Sequence, residues 1–224
     1  MPTSVFAQGP HRVQGPSGSL EVVVDVPQGV PPQPIIAIIA HPLPTQGGTM
    51  QNKVVTTLAQ TLCHLGIPCV RFNFRGVGAS DGVFDDGVGE QADLLAVVAW
   101  ARVHAPQSAV WLAGFSFGAY VVLAASPKIR PEVVITVAPP VGRWNFSAII
   151  PPARWIVIQG EEDEVIDPQA VYAWIASTKA TPQVIAMPDT SHFFHRKLVL
   201  LRQELCAALH TDFMHKEAES GPQL

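Results

Sequence analysis

No apolar run in this chain reaches the roughly 18 residues that a membrane-spanning helix needs. The opening stretch, MPTSVFAQGPHRVQG, lacks the basic start and apolar centre of an export signal. The expectation is a soluble, cytoplasmic protein with no membrane partner. Cysteine is scarce as well: Cys63, Cys69 and Cys206 are an odd number, without C-x-x-C spacing and among apolar neighbours. That excludes a disulfide framework and reads as small buried hydrophobes in a reducing compartment. Basic residues number 14 against 18 acidic ones, a formal charge of -4 with no basic stripe, which excludes nucleic acid as the main partner. Phosphate-cradling loops are missing too. The stretch Arg75-Gly76-Val77-Gly78-Ala79-Ser80-Asp81-Gly82 lacks the G-x-G-x-x-G spacing, and no G-x-x-x-x-G-K-[ST] occurs. Arg75 reads instead as a guanidinium that fixes its own loop. His192 and His195 stand three apart, but no third ligand cluster joins them, so neither a metal nor a cofactor is expected.

What the chain has is apolar bulk. With 224 residues, 48% of them hydrophobic, it can bury a sizeable core, and it reads as a single α/β domain over 1–224 with flexible ends at about 1–18 and 211–224. Strands are predicted at Leu20 to Val26, Ile35 to Ala40, Cys69 to Phe74, Ala109 to Gly114, Val133 to Ala138, Trp155 to Gln159 and Gln183 to Met187. Most are continuous Val/Ile/Leu runs, as in a parallel sheet covered on both faces. Helical patterns lie between them at Met50 to Leu65, Gly89 to His104, Phe117 to Ala125, Pro168 to Ser177 and His195 to Leu209. The last helix ends near His210. This alternation predicts a mostly parallel sheet with helices on both faces and its chemistry at the carboxyl ends of the strands.

One such end carries Gly114-Phe115-Ser116-Phe117-Gly118, a G-x-S-x-G between strand and helix. There a serine is held in a strained turn whose flanking positions admit no side chain larger than hydrogen. The alternative is a plain glycine-rich turn. If Ser116 is a nucleophile it needs a base and an orienting acid, in the chain order Ser, Asp/Glu, His. His192, in DTSHFFH after the last strand, fits the base, and Asp163, in GEEDEVID after WIVIQ, fits the acid. The acid is the more open choice. Glu161, Glu162 and Glu164 read as solvated loop charges, Asp167 before Pro168 as a helix cap, and Asp189 as a turn former. Two backbone amides are candidates for an oxyanion hole, Phe117 after the serine and Leu43 between Pro42 and Pro44. His41, next to them, reads as a histidine that bonds its own loop.

Taken together, HPLPTQGGTMQNK, VRFNFRGVGASDG, GFSFGAY, VAPP, QGEEDEVIDP and MPDTSHFFHRK make the chain resemble the α/β-hydrolase superfamily from about Leu20 to Leu209. The likeness is strongest to its small bacterial serine hydrolases with little or no cap. It implies a triad at the positions of Ser116, Asp163 and His192 and oxyanion amides at Leu43 and Phe117. The chain is also similar to dienelactone-hydrolase-like enzymes, which carry cysteine where Ser116 stands.

Only Pro139 to Arg154 separate two successive strands, too few residues for a multi-helix lid. Trp144, Phe146, Phe193 and Phe194 are candidates to line an open cleft, with Trp144 and Phe193 the first choices for binding substrate. The expected function is hydrolysis of small carboxylic esters, the partner a small ester or related acyl compound. The same groups would serve a thioesterase, a small amidase or a peptidase. A non-catalytic binding protein on this fold is the alternative of a different class.

Overall fold

Ile35–Ala40 reads IIAIIA, and all of its side chains are buried, so this strand needs cover on both faces. The computed structural model describes residues 7–219 and supplies that cover with a three-layer arrangement. In chain order the elements are β1 (Gly9–Gly15), β2 (Gly18–Asp25), β3 (Ile35–Ala40), α1 (Lys53–His64), β4 (Cys69–Phe72), α2 (Val88–His104), β5 (Ala109–Phe115), α3 (Phe117–Ile129), β6 (Val133–Val137), β7 (Trp155–Gly160), α4 (Pro168–Ser177), β8 (Gln183–Met187) and α5 (Leu198–Glu219). The strands form one 8-stranded sheet in the order β1-β2-β4-β3-β5-β6-β7-β8. Strand β2 runs antiparallel to both its neighbours, and every pairing from β4 to β8 is parallel. Leu94, Val98, Val121 and Val171 bring α2, α3 and α4 onto one face. Val54, Leu58, Leu201 and Leu205 bring α1 and α5 onto the other.

The mostly parallel sheet with helices on both faces is therefore as expected, and the departures have local causes. Strand β1 was not anticipated, because GPHRVQG has no apolar alternation and buries only Val13 and Gly15. Its backbone makes up the difference, pairing with β2 from Gly9↔Val24 to Gly15↔Gly18. Much of the supposedly flexible start is thus an edge hairpin, while residues 1–6 lie outside the described residues. Helix α3 runs past Ala125 through Pro127. Pro127 has no N–H for the carbonyl of Leu123, and the Ser126 hydroxyl donates to it instead at 2.8 Å. Helix α5 begins at Leu198 rather than His195, since Phe194 and Arg196 take φ of 53° and 59° just before it. It then continues to Glu219, beyond the expected end near His210. The last five positions, 220–224, lie outside the described residues.

Two buried polar contacts fix the loops at the carboxyl end of the sheet. Beyond β4, the Arg75 guanidinium grips Asp93 of α2 with two N–H groups at 3.0 and 2.8 Å and also donates to the carbonyl of Gly89. Arg75 thus holds its own loop, as read from the sequence. One residue earlier, the amide of Phe74 donates to Nε2 of His41 at 3.1 Å, and Nδ1 of His41 donates to the carbonyl of Pro42 at 2.6 Å. His41 is fully buried, and this burial outweighs the bond to Pro42, lowering its pKa from 6.5 to about 4. It is neutral in the fold, with the Nδ1–H tautomer required by its two partners.

Two outcomes follow for stability. Asp93→Ala leaves the Arg75 guanidinium buried without its carboxylate and is expected to cost about 3 kcal/mol or more in urea unfolding. For His41, the unfolded side chain takes up a proton near pH 6.5 that the folded one refuses until about 4. Stability from this group is therefore complete above pH 6.5 and is lost as pH falls through that window, up to about 3 kcal/mol. The difference in unfolding free energy between the wild type and His41→Gln should shrink as pH is lowered from 7.5 to 4. A difference independent of pH would contradict the linkage.

Candidate active site

At the end of β5 the backbone turns sharply into α3, and Ser116 sits at the turn with φ 52° and ψ −118°, a conformation that an L-residue seldom adopts. Two missing side chains make it possible. A Cβ on Gly114 would fall 2.3 Å from the carbonyl oxygen of Gly118, and one on Gly118 would fall 2.4 Å from that of Ala40. The serine amide is tied to β6 through the carbonyl of Val137 at 2.8 Å. Its own carbonyl accepts from Ala119 at 2.8 Å, which starts the helix.

Two further loops bring side chains to this hydroxyl. Nε2 of His192 lies 3.1 Å from Oγ of Ser116, and Nδ1 lies 2.8 Å from Oδ2 of Asp163. All three residues are buried, Ser116 retaining 8% exposure, His192 3% and Asp163 7%. Burial alone would raise the Asp163 pKa, but hydrogen bonds to its charged form win and hold it below the usual carboxylate value. Oδ1 accepts from the amides of Val165 and Ile166 at 2.9 and 2.7 Å, while Oδ2 accepts from His192 and from Nε2 of Gln159 at 3.1 Å. The loops carrying Asp163 and His192 are joined directly, since the amide of Glu162 donates to the carbonyl of Thr190 at 3.1 Å. Gly160 permits this approach, as a Cβ there would meet the Thr190 oxygen at 2.3 Å.

The remaining acids fall apart from this row. Asp167 caps α4, its Oδ1 accepting from the amide of Gln169 at 3.0 Å. Asp189 occupies a turn with φ 48°. Glu164 is exposed, as read from the sequence, and its Oε2 also accepts from the amide of His192 at 3.1 Å, bracing the histidine's backbone. Gln159 and Phe115 also escaped notice. Gln159 was read only as a strand residue, and the ring of Phe115 lies 5.2 Å from that of His192 at 34°. Their signal was positional: each precedes a functional loop by a few residues on a strand that points at it.

Leu43 and Phe117 lie on the two sides of a close junction. Gly118, next to Phe117, packs against the carbonyls of Ala40 and His41, the residues that lead into Pro42-Leu43-Pro44. The amide of Phe117 stands at the first position of α3, where a helix leaves N–H groups without internal partners. His41 closes the loop on itself through the Pro42 carbonyl, and the carbonyl of Leu43 accepts from Gln46 and Gly48 at 3.1 and 3.0 Å.

The aromatic candidates divide. Phe146 and Phe194 are core, 5% and 0% exposed, the first against Trp174 and the second against Phe115. Trp144 is half-buried with its ring 5.1 Å from that of Phe117, and its Nε1 donates to Asp86 at 3.1 Å. Phe193 is 49% exposed and lies edge-on to His192 at 5.1 Å. The connection from β6 to β7 contains no helix and only an isolated bridge between Val141 and Trp144. Among the described residues no group of three or more His, Cys, Asp or Glu is gathered as for a metal, and no helix is long and apolar enough to cross a membrane.

Comparison with known proteins agrees with this architecture. The model of the X-Pro dipeptidyl-peptidase (S15) family matches residues 18–150, a stretch that contains Leu43 and Ser116 and ends before Asp163 and His192. An uncharacterized protein of Rickettsia prowazekii is 35% identical over 159 residues, 68% of this chain and 66% of its own length. A lidless α/β serine hydrolase of Xanthomonas campestris is 53% identical with a TM-score of 0.89, covering 92% of this chain and 96% of its own. An α/β serine hydrolase homologue of Coxiella burnetii is 43% identical with a TM-score of 0.87, covering 92% of this chain and 100% of its own. With more than half its length matched by the family model and this sheet beneath it, the chain belongs to the S15 family of α/β serine hydrolases.

Proposed function

We propose that this hydrolase cleaves small carboxylic esters through an acyl-enzyme on Ser116. The observation that carries the reading is the hydrogen-bonded row from Ser116 through His192 to Asp163, at 3.1 and 2.8 Å. Neutral His192 accepts the proton of Ser116 as Oγ attacks the ester carbonyl, and then returns it to the departing alcohol. Asp163, held ionised by its amide donors, fixes the tautomer that leaves Nε2 free to accept and stabilises the imidazolium while it lasts. The amides of Phe117 and Leu43 receive the negative charge on the carbonyl oxygen, the first with the positive end of α3 behind it. Water then repeats the sequence on the acyl-enzyme.

The short β6–β7 connection supports a small, open substrate site, bordered by Trp144 beside Phe117 and by Phe193 beside His192. A peptidase reading is favoured by one observation, the dipeptidyl-peptidase description of the family. The same row would serve it, because an amide needs the same nucleophile, base and oxyanion donors.

A fluorophosphonate should label Ser116 stoichiometrically, with mass mapping of the adduct as the check, and Asp163→Asn should retain the fold while lowering kcat about 1,000-fold or more. Labelling of another residue, or a fully active Asp163→Asn, would overturn these assignments. In a series of chromogenic esters from acetate to laurate, kcat/KM should rise by up to about 0.8 kcal/mol per methylene and stop near butyrate or hexanoate. An X-Pro anilide assayed beside them should turn over more slowly than the best ester. The reverse order would make the peptidase reading the better one, and an optimum at laurate would contradict an open, shallow site.

A further inference from the structure

We propose that Gln159 is a positioning residue for this reaction, holding the Asp163 carboxylate in line and moderating its pull on the His192 proton; the inference rests on the hydrolase reading above. Gln159 is the penultimate residue of β7, wholly buried, in a strand whose other side chains are apolar apart from the terminal glycine. Its Nε2 donates to Oδ2 of Asp163 at 3.1 Å, the same oxygen that accepts from Nδ1 of His192 at 2.8 Å, and also to the carbonyl of Gly160 at 3.1 Å. Its Oε1 is buried and has no hydrogen-bond partner among the described residues. Leaving an amide oxygen unpaired is costly, and in a purely structural role the side chain would gain by being apolar. Turning the amide over would set Oε1 against Oδ2, acceptor to acceptor, so the carboxylate dictates the orientation observed.

The consequence concerns one oxygen atom. Oδ1 of Asp163 is taken by two backbone amides, which leaves Oδ2 to divide its charge between His192 and Gln159. A second donor on Oδ2 weakens its stabilisation of the imidazolium and keeps the carboxylate from swinging away when His192 moves. The charged groups facing His192 are Asp163 and Glu164, both from the loop after β7, the second through the backbone amide only. From the elbow it meets the Ser116 hydroxyl and the Phe115 ring, and on its own loop the Phe193 ring. Gln159 is thus the uncharged side chain that shares Oδ2 with His192.

The test is the pH profile of kcat/KM on a chromogenic butyrate ester for the wild type, Gln159→Met and Asp163→Asn. Gln159→Met keeps the length of the side chain and removes both the donor and the unpaired oxygen. Its acid limb should lie higher by about half a pH unit, roughly threefold in proton concentration, with KM unchanged within twofold and a thermal midpoint no lower than the wild type's. A limb that stays in place or moves down overturns the proposal. A second measurement needs no change at position 159: in the ¹⁵N-labelled wild type the Nε2–H signals of Gln159 should move as pH passes through the acid limb, and should lie elsewhere in Asp163→Asn. Signals that ignore both changes overturn it as well. If Asp163→Asn turns over at the wild-type rate, the hydrolase reading of Asp163 falls, whereas an inactive Asp163→Asn beside an unshifted Gln159→Met removes the Gln159 proposal alone.

Discussion

A carbonyl oxygen and an absent methyl group meet at the end of β5. The 2.3 Å that would separate a Gly114 Cβ from the Gly118 oxygen is far inside van der Waals contact, so any other residue at 114 must open the turn. Opening it would move α3 off the sheet and relax Ser116 from φ 52°. Holding a serine in that conformation costs on the order of 1–3 kcal/mol, and the structure meets this cost by over-determining the turn. The Val137 carbonyl fixes the serine amide, and the first turn of α3 fixes its carbonyl. Gly118 then lets the helix sit against the end of β3, which brings the His41–Leu43 loop to the elbow. The strained serine, the helix terminus and the second loop are in this sense one packing decision.

Around that turn the charges are arranged so that none is buried alone. Arg75 and Asp93 neutralise each other, His41 stays neutral, and Asp163 is surrounded by four donors that lower its pKa against the effect of burial. Desolvation opposes every one of these groups. At Asp163 the hydrogen bonds outweigh it, whereas at His41 burial wins over the bond to Pro42 and the ring stays neutral.

Much of this was legible in the residues themselves. Continuous Val/Ile/Leu runs such as IIAIIA and VVITV announce buried parallel strands, and the two glycines around Ser116 have a steric meaning that does not depend on context. The chain order of Ser116, Asp163 and His192 was readable too, although choosing among five nearby carboxylates was not a matter of pattern. Asp163 differs from Asp167 by the direction in which the loop presents it, and that direction comes from Gly160 and the Thr190 carbonyl, on another strand's loop. Strand β1 was hidden because an edge strand is held by its backbone, which every sequence has, and not by a side-chain pattern. Phe194 and Phe146 looked like pocket walls from their position near strand ends, yet both are buried, packed against Phe115 and Trp174 respectively. Gln159 was invisible for the opposite reason: it stands inside an apolar strand, where its meaning depends wholly on which atom lies opposite.

The strand order places the three members of the hydrogen-bonded row at unequal depths in the sheet. Ser116 follows β5, flanked by strands on both sides, whereas His192 follows β8, which pairs with β7 alone and forms the outer edge. Strands at an edge open with less free energy than those at the centre, and their amides exchange with solvent sooner. Partial fraying from this side would therefore withdraw His192 while Ser116 and its helix remain folded. The geometry around Ser116 thus depends on the hydrogen bonds that join a five-residue strand to its single neighbour, and it would be lost at a lower threshold than the shape of the sheet.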